Sequence, residues 1–175
     1  MTSAHTEQKH WYACRIFHNQ TKNVKAALTD EAIRFFIPCR VLQQQTAEGI
    51  LYQEEPIIPS LVFIQATPTY IRSLKEQFAT HLGFYQIPGT QTAAVIPNHE
   101  MEIFMYVLSK GCQQLETIDE KLVKGSHVRI TGGPFEGAEG YITRVHGTKR
   151  FVVLVHGIAA VATTFIPRCH IEKID

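Results

Sequence analysis

The spacing of apolar positions in the first part of the chain changes several times between strand-like and helix-like. Four short apolar runs, rich in aromatic and branched side chains, predict strands at 11–17, 34–42, 61–64 and 84–87. Apolar residues at helical spacing predict three amphipathic helices, at 21–30, 68–79 and 98–108. The order β-α-β-β-α-β-α predicts a single open sheet covered by helices.

Several local signals refine these elements. Leu61-Val62-Phe63-Ile64 is apolar throughout, which favours a central strand, and Pro38 confines its own strand to an edge or a bulge. Thr67 followed by Pro68 is typical of a helix start, because threonine caps the first turn and proline suits the first helical position. Residues 43–49 are expected to form a polar turn region, and 54–60 a proline-braced loop.

The remaining residues predict a different architecture. Residues 109–121 lack apolar periodicity and are expected to form a flexible linker between two domains. Five short β-prone stretches follow within fewer than sixty residues, which predicts a small β-barrel. The sequence therefore predicts an α+β protein with a mixed α/β sheet domain at 1–108, a linker at 109–121 and a barrel at 122–175.

One turn at the start of the barrel has a distinctive sequence. Gly132-Gly133-Pro134 lies between a strand containing Val128 and Ile130 and a second strand that opens at Glu139. Glycine permits positive φ and proline fixes φ, so the run is well suited to a tight turn. Apolar alternation in the second strand slips between Ile142 and Val145, which predicts a β-bulge.

Composition and charge narrow the function classes. The hydrophobic fraction of 45% is sufficient for a buried core, and no apolar run approaches the ~20 residues of a membrane span. We expect a cytoplasmic protein with no membrane partner. Residues 1–108 carry eight Lys and Arg against nine Asp and Glu, net −1, and residues 109–175 carry nine against seven, net +2. Neither part is a polybasic nucleic-acid clamp, so any contact with nucleic acid is expected to be weak.

Cofactors and catalysis are not indicated. The four cysteines lie far apart and the nine histidines are scattered, so neither a disulfide framework nor a metal site is predicted. No phosphate-binding glycine loop, nucleophile elbow or pair of carboxylates is recognisable. We expect a protein that is not an enzyme and needs no cofactor.

The spacing Gly-Pro-Phe-x-Gly-x-x-Gly between two short strands resembles the KOW motif of nucleic-acid- and ribosome-associated barrels. With the preceding domain, the order of parts resembles the NusG family of transcription elongation factors, which join an N-terminal NGN domain to an SH3-like KOW barrel. Segments that carry the resemblance are Trp11-Tyr12, 58–64, 84–89, 97–100 and the run from the KOW motif to Ile174. The resemblance implies an α+β fold and a factor that binds RNA polymerase.

The resemblance also implies which residues make contacts. An apolar face of the first domain would bind the clamp helices of RNA polymerase through Ile58, Leu61, Phe63, Phe84 and Ile87. Each of these can equally be a core residue, because about half of any strand faces the interior. Leu61 and Phe63 share one face, which would be exposed if the helices at 21–30 and 68–79 do not cover it.

Polar residues are assigned by the same resemblance. Arg72 and Ser73 match the region that faces the opposite side of the polymerase cleft, where bridging favours the closed, processive state. A second group of residues would touch DNA in the transcription bubble or nascent RNA, namely Arg15, Lys22, Lys25 and Arg40. The alternative for both groups is an ordinary solvated surface.

The barrel would bind a termination factor or a ribosomal protein through Phe135, His156, Gly157 and Ile158. His156 stands where the family has an aromatic residue and Ile158 where arginine is frequent, so this chain departs from the usual partner surface. The departure favours a specialised paralogue, an antitermination factor for particular long operons that acts as a monomer. Two alternatives stay open: a housekeeping NusG-type factor that couples polymerase to a termination factor or ribosome, and a ribosome-associated KOW protein that binds RNA.

Overall fold

The computed structural model describes residues 7–110, 116–118, 124–155, 158–163 and 166–174. These residues contain three α-helices: α1 Thr21–Asp30, α2 Pro68–Gln77 and α3 Asn98–Ser109. The strands before α3 are β1 His10–Ile16, β2 Arg34–Phe36, β3 Cys39–Thr46, β4 Gly49–Pro56, β5 Leu61–Ala66 and β6 Leu82–Phe84. Those after it are β7 Glu116–Ile118, β8 Ser126–Ile130, β9 Glu139–Val145, β10 Thr148–Val155, β11 Ala159–Ala162 and β12 Ile171–Lys173. The α+β class is confirmed.

The chain divides into two compact units. The first consists of residues 1–37 and 60–98, and the second of residues 38–59 and 99–175. This division differs from the predicted one, because residues 38–59 and helix α3 group with the C-terminal residues. The boundaries 1–108, 109–121 and 122–175 therefore stay a prediction about independently folding domains.

The first unit contains a four-stranded antiparallel sheet in the order β2-β5-β1-β6. Strand β5 is central, as its uninterrupted apolar sequence predicted, and Ala13 lies opposite Phe63 in the register with β1. Alternate residues of β1 and β5 pack with Val24 and Leu28 of α1 and with Ile71 and Leu74 of α2. The helices thus cover one face of the sheet.

Helix α2 starts as its sequence predicted. Thr67 is the N-cap, its Oγ1 accepts a hydrogen bond of 3.2 Å from the backbone N–H of Tyr70, and Pro68 occupies the first turn. Glu7 adds a second cap, because its carboxylate accepts hydrogen bonds from the backbone N–H and the hydroxyl of Thr69. These bonds lower the pKa of Glu7, with Thr69 as the main cause. The N-terminal turn of α2, which precedes Arg72 and Ser73, is therefore fixed from two directions.

The expectations for residues 34–60 are wrong in part. One strand was predicted at 34–42, a polar turn at 43–49 and a loop at 54–60, whereas β3 and β4 form a long two-stranded hairpin. Cys39 pairs with Pro56 at its base, and Thr46 pairs with Gly49 across a two-residue turn. The polar sequence Gln43-Gln44-Gln45 hid the strand, because a hairpin exposed along its length needs no buried apolar alternation.

The second unit contains a six-stranded antiparallel sheet in the order β12-β8-β9-β10-β11-β7. Its β7 lies inside the predicted linker and pairs with β11, so residues 116–118 are a strand and not the flexible segment expected there. The α3 helix also ends one residue later than predicted, at Ser109. The other linker residues, 111–115 and 119–121, lie outside the described part of the chain.

The predicted bulge in β9 is also wrong. Residues 141–145 pair without interruption with residues 148–152 of β10. Thr143 explains the apparent slip, because this polar residue is 7% exposed and its hydroxyl donates a 2.8 Å hydrogen bond to the carbonyl of Lys124. A buried hydroxyl with a partner can occupy a position that the pattern reserves for an apolar side chain.

Candidate functional site

Both faces of the first sheet are buried at strand β5, whereas the sequence suggested that one of them could be exposed. Val62 and Ile64 contact the helices, as one face of a half-covered sheet should. Leu61 and Phe63 point the other way, yet Leu61 is 1% exposed and Phe63 is fully buried. The ring of Phe36 lies 6.4 Å from that of Phe63, and both faces of β5 are thus buried.

This burial corrects the assignment of Leu61 and Phe63 as surface anchors. The sequence predicted an exposed apolar patch if the helices at 21–30 and 68–79 left this face uncovered. The helices pack on the other face, but Leu61 and Phe63 are buried nevertheless. Phe84 is buried as well, within the helix-covered core. For these three residues the structure favours the core interpretation, and their part in polymerase binding is untested.

The other two apolar residues assigned to the polymerase surface are accessible. Ile58 is half-buried, and Ile87 is 45% exposed. Ile87 is held in a tight loop, because its N–H donates to the carbonyl of Thr92 and its own carbonyl accepts from the backbone and hydroxyl of Thr90. An isolated bridge between Gln86 and Ala93 closes the ends of that loop. The loop therefore presents an apolar side chain from a fixed backbone.

Arg72 and Ser73 are both exposed on α2. The positive charge of Arg72 contributes to the lowered pKa of Glu7, after the hydrogen bonds from Thr69. Thr67 caps the turn of α2 that precedes these two residues. Both side chains are available for a partner, as the resemblance implies, and a solvated role is equally compatible with their positions.

The four cations assigned to nucleic acid do not form one group. Lys22 and Lys25 are exposed on α1, three residues apart and so on the same side of the helix. Arg15 is exposed on β1, where its Nε donates a 2.9 Å hydrogen bond to the hydroxyl of Tyr85. Arg40 belongs to the second unit and forms an ion pair with Glu55, with Nη2 2.6 Å from Oε2.

The sequence missed the largest group of exposed apolar side chains among the described residues. The β3–β4 hairpin exposes Val41, Leu42, Ile50, Leu51 and Tyr52, each at least 40%. Isolated two-stranded hairpins are marginally stable in water, and these residues receive little burial to compensate. The signal in the sequence was the pair of apolar clusters on either side of the Ala47-Glu48 turn, which the intervening glutamines concealed.

The predicted partner surface of the barrel is also altered. Phe135 is 1% exposed, and its ring lies 6.3 Å from that of Phe151, so its assignment as a surface residue is corrected to a core position. The turn that contains Phe135 closes tightly, because the Gly137 N–H donates to the carbonyl of Ile130 at 2.8 Å. Ile158 is half-buried. His156 and Gly157 lie outside the described residues.

The described part of the chain gives little support for a metal site, a membrane-spanning helix or a nucleophilic cysteine. No group of three or more metal-ligating side chains occurs there, and none of its helices is long and apolar enough to cross a membrane. Burial raises the pKa of the Cys14 thiol, whose Sγ contacts the carbonyl of Val62, so this cysteine is not an activated nucleophile.

Comparison with known proteins identifies the family. A sequence profile described as "Transcription termination factor nusG" matches residues 9–105, more than half of the chain. This chain belongs to the NusG family. No curated protein sequence gives a significant match. A solved structure titled "Domain interaction in Thermotoga maritima NusG" is 17% identical, with a TM-score of 0.49, and the match covers 96% of this chain and 98% of that one.

Membership in this family indicates the general role of the chain. The NusG family is a family of transcription factors that bind RNA polymerase, and it is not known as a family of enzymes. The match ends at residue 105, so it includes the first sheet, the β3–β4 hairpin and most of α3. The surfaces described above that lie in this region are therefore the candidates for a polymerase contact.

Proposed function

We propose that this protein is a transcription elongation and antitermination factor that binds the clamp helices of RNA polymerase and favours processive transcription. The proposal rests on the family match across residues 9–105. A factor without catalytic groups can change transcription only by binding one state of the polymerase better than another. Preference for the closed clamp over the paused, open clamp would have this effect.

Among the residues assigned to the polymerase contact, Ile87, Arg72 and Ser73 are the most exposed, and Ile58 is half-buried. Ile87 offers an apolar anchor from a rigid loop, and Arg72 offers charge from a capped helix. Ile87 would contact the clamp helices and Arg72 with Ser73 the opposite side of the polymerase cleft, and both apolar anchors and exposed charged groups occur at protein interfaces. The exposed cations Arg15, Lys22 and Lys25 would add weak, sequence-independent contacts to the exposed DNA strand.

We further propose a specialised role on particular long operons. The supporting observation is the departure from the family pattern at His156 and Ile158, where the barrel would contact a termination factor or ribosomal protein. Recruitment would depend on a sequence in DNA or nascent RNA. The ribosome-associated alternative is less well supported, because residues 109–175 have a net charge of only +2.

A binding measurement tests the polymerase surface. Ile87→Asp should weaken binding to core RNA polymerase about tenfold or more, because a buried carboxylate replaces an apolar anchor. Ile50→Asp is the matched control, since Ile50 is 55% exposed, is also an isoleucine and lies on the hairpin. Melting temperatures of both variants should equal that of the unmodified chain. If both variants weakened polymerase binding equally, the contact surface would have to include the hairpin.

A transcription assay tests the activity itself. Saturating unmodified protein should shorten pauses by RNA polymerase from the same source, and Ile87→Asp should need a higher concentration for the same effect. Templates with and without candidate leader sequences would reveal any dependence on recruitment. Unchanged pause lifetimes at saturating protein, with binding intact, would contradict direct antipausing.

A further inference from the structure

The sheet of the second unit has an open groove that none of the roles above uses. Its volume is about 780 Å³, within the range of protein binding pockets. Four aliphatic side chains contribute to its lining: Val128 and Ile166 are buried, and Ile142 and Ile171 are half-buried. Four exposed cations also line it, Arg144, Lys149, Arg168 and Lys173. We call the surface formed by these eight residues the basic groove.

Three cations of the basic groove have no acidic partners among the described residues. None of Arg144, Lys149 and Arg168 forms an ion pair there, and no carboxylate is part of the described lining. Elsewhere in the same sheet, by contrast, Arg129 pairs with Glu139 at 2.7 Å. The positive charge of the groove is therefore not neutralised by the residues that line it.

Strand pairing places two of the cations side by side. Arg144 and Lys149 are directly opposite in the register of β9 and β10, an arrangement that destabilises a sheet when both residues carry the same charge. The turn between them, His146-Gly147, has φ of 48° and 80°, which is typical of the tight two-residue hairpin turn. The register is thus fixed, and an anion between the two side chains would relieve the repulsion.

The lining determines the class of ligand. Single-stranded nucleic acid is usually held by aromatic side chains on which bases stack, and no aromatic residue is among the described lining of the groove. A lining of aliphatic side chains and cations is suited to a peptide that contains both aliphatic and acidic residues, because each kind of side chain then has a complementary partner. We propose that the basic groove binds an acidic segment of a partner protein, with the aliphatic side chains of that segment against the apolar lining.

This surface differs from the barrel residues assigned by resemblance. Those are Phe135 and 156–158, and none of them is part of the described lining of the groove. Binding of the acidic segment also does not require RNA polymerase. The proposal can consequently fail while the proposed transcription role holds, and the reverse is equally true.

The test uses the full-length chain and displayed random peptides of about 12 residues, long enough to extend along the groove. Peptides retained by the unmodified chain but not by the double variant Arg144→Glu/Lys149→Glu are sequenced. We expect them to be enriched in Asp and Glu together with Leu, Ile and Val. Retained peptides without acidic enrichment, or identical selections by the two proteins, would overturn the proposal.

Fluorescence anisotropy with one selected peptide then measures affinity. The double variant should bind it about tenfold or more weakly, because charge-assisted hydrogen bonds are replaced by repulsion. Lys9→Glu is the control, since Lys9 is exposed in the other unit, and it should change affinity less than about twofold. Replacing the aliphatic residues of the peptide by serine should also weaken binding. Unchanged melting temperatures confirm that the variants fold.

Single-stranded oligouridine RNA is the competing probe. It should bind the unmodified chain more weakly than the selected peptide does. Tighter RNA binding that the double variant abolishes would mean that the basic groove is a nucleic-acid surface, and the peptide proposal would be wrong.

Discussion

Phe63→Ala should lower the free energy of unfolding by ~3–5 kcal/mol, the usual cost of deleting a fully buried phenylalanine side chain. The cost is large because Phe63 lies on the central strand β5, opposite Ala13 and 6.4 Å from the ring of Phe36. Loss of the ring leaves a cavity, because the paired strands around Phe63 cannot all move inward to fill it. Thermal unfolding followed by circular dichroism should show a fall in melting temperature of ~10 °C or more.

The comparison variant is Ile87→Ala, at a position that is 45% exposed. It should change stability by no more than about 0.5 kcal/mol, as surface substitutions usually do. Polymerase affinity per folded molecule should respond in the opposite way, falling for Ile87→Ala and staying constant for Phe63→Ala. If the Phe63→Ala protein had normal stability but bound polymerase more weakly, Phe63 would be part of the contact surface after all.

These two residues show why the candidate site was only partly predictable. The sequence indicated that 61–64 is a central strand, and the structure confirms it. A strand that is apolar at every position has no polar face, however, so the pattern cannot show which side chains a partner could reach. Accessibility depends on what covers the second face, and that is decided by packing between elements far apart in the chain.

Elements with local chemical signals were predicted best. Thr67-Pro68 determined the start of α2 because capping involves neighbouring residues, and the glycine-rich turn after β8 was evident for the same reason. The β3–β4 hairpin was missed because its strands are exposed and glutamines separate their apolar residues, so its pairing leaves no periodic signal. Strand β7 was missed because three residues cannot display a period, and only pairing with β11 makes them a strand.

The glycine-rich motif contains two glycines that serve different purposes. Gly137 has φ of +85°, and a Cβ built on it would meet no atom within 4 Å. Gly140 needs no unusual φ, but a Cβ there would lie 2.5 Å from the carbonyl oxygen of Val152 and 2.7 Å from the Phe151 ring. The first glycine is required by backbone conformation, and the second by space inside the sheet.

Gly140→Ala should therefore be the more damaging substitution. The Phe151 ring can rotate or shift, but the carbonyl of Val152 belongs to a strand paired on both sides, by β9 and by β11, and cannot yield without disturbing both ladders. We expect a loss of ~3 kcal/mol, at the upper end of the range for overpacked interiors. Gly137→Ala should lose only ~1 kcal/mol, the strain of alanine at positive φ.

Amide spectra of the two variants by nuclear magnetic resonance, recorded with denaturant titrations, would separate these effects. Gly140→Ala should shift or broaden signals from β9, β10 and β11, while Gly137→Ala should change only those near the turn. Adding Phe151→Leu to Gly140→Ala should recover part of the lost stability, since it removes the ring contact, but not all, because the contact with the Val152 carbonyl remains. If Gly140→Ala is as stable as the unmodified protein, the spacing of glycines in this motif is set by the turn alone and not by the close approach of β9 to β10.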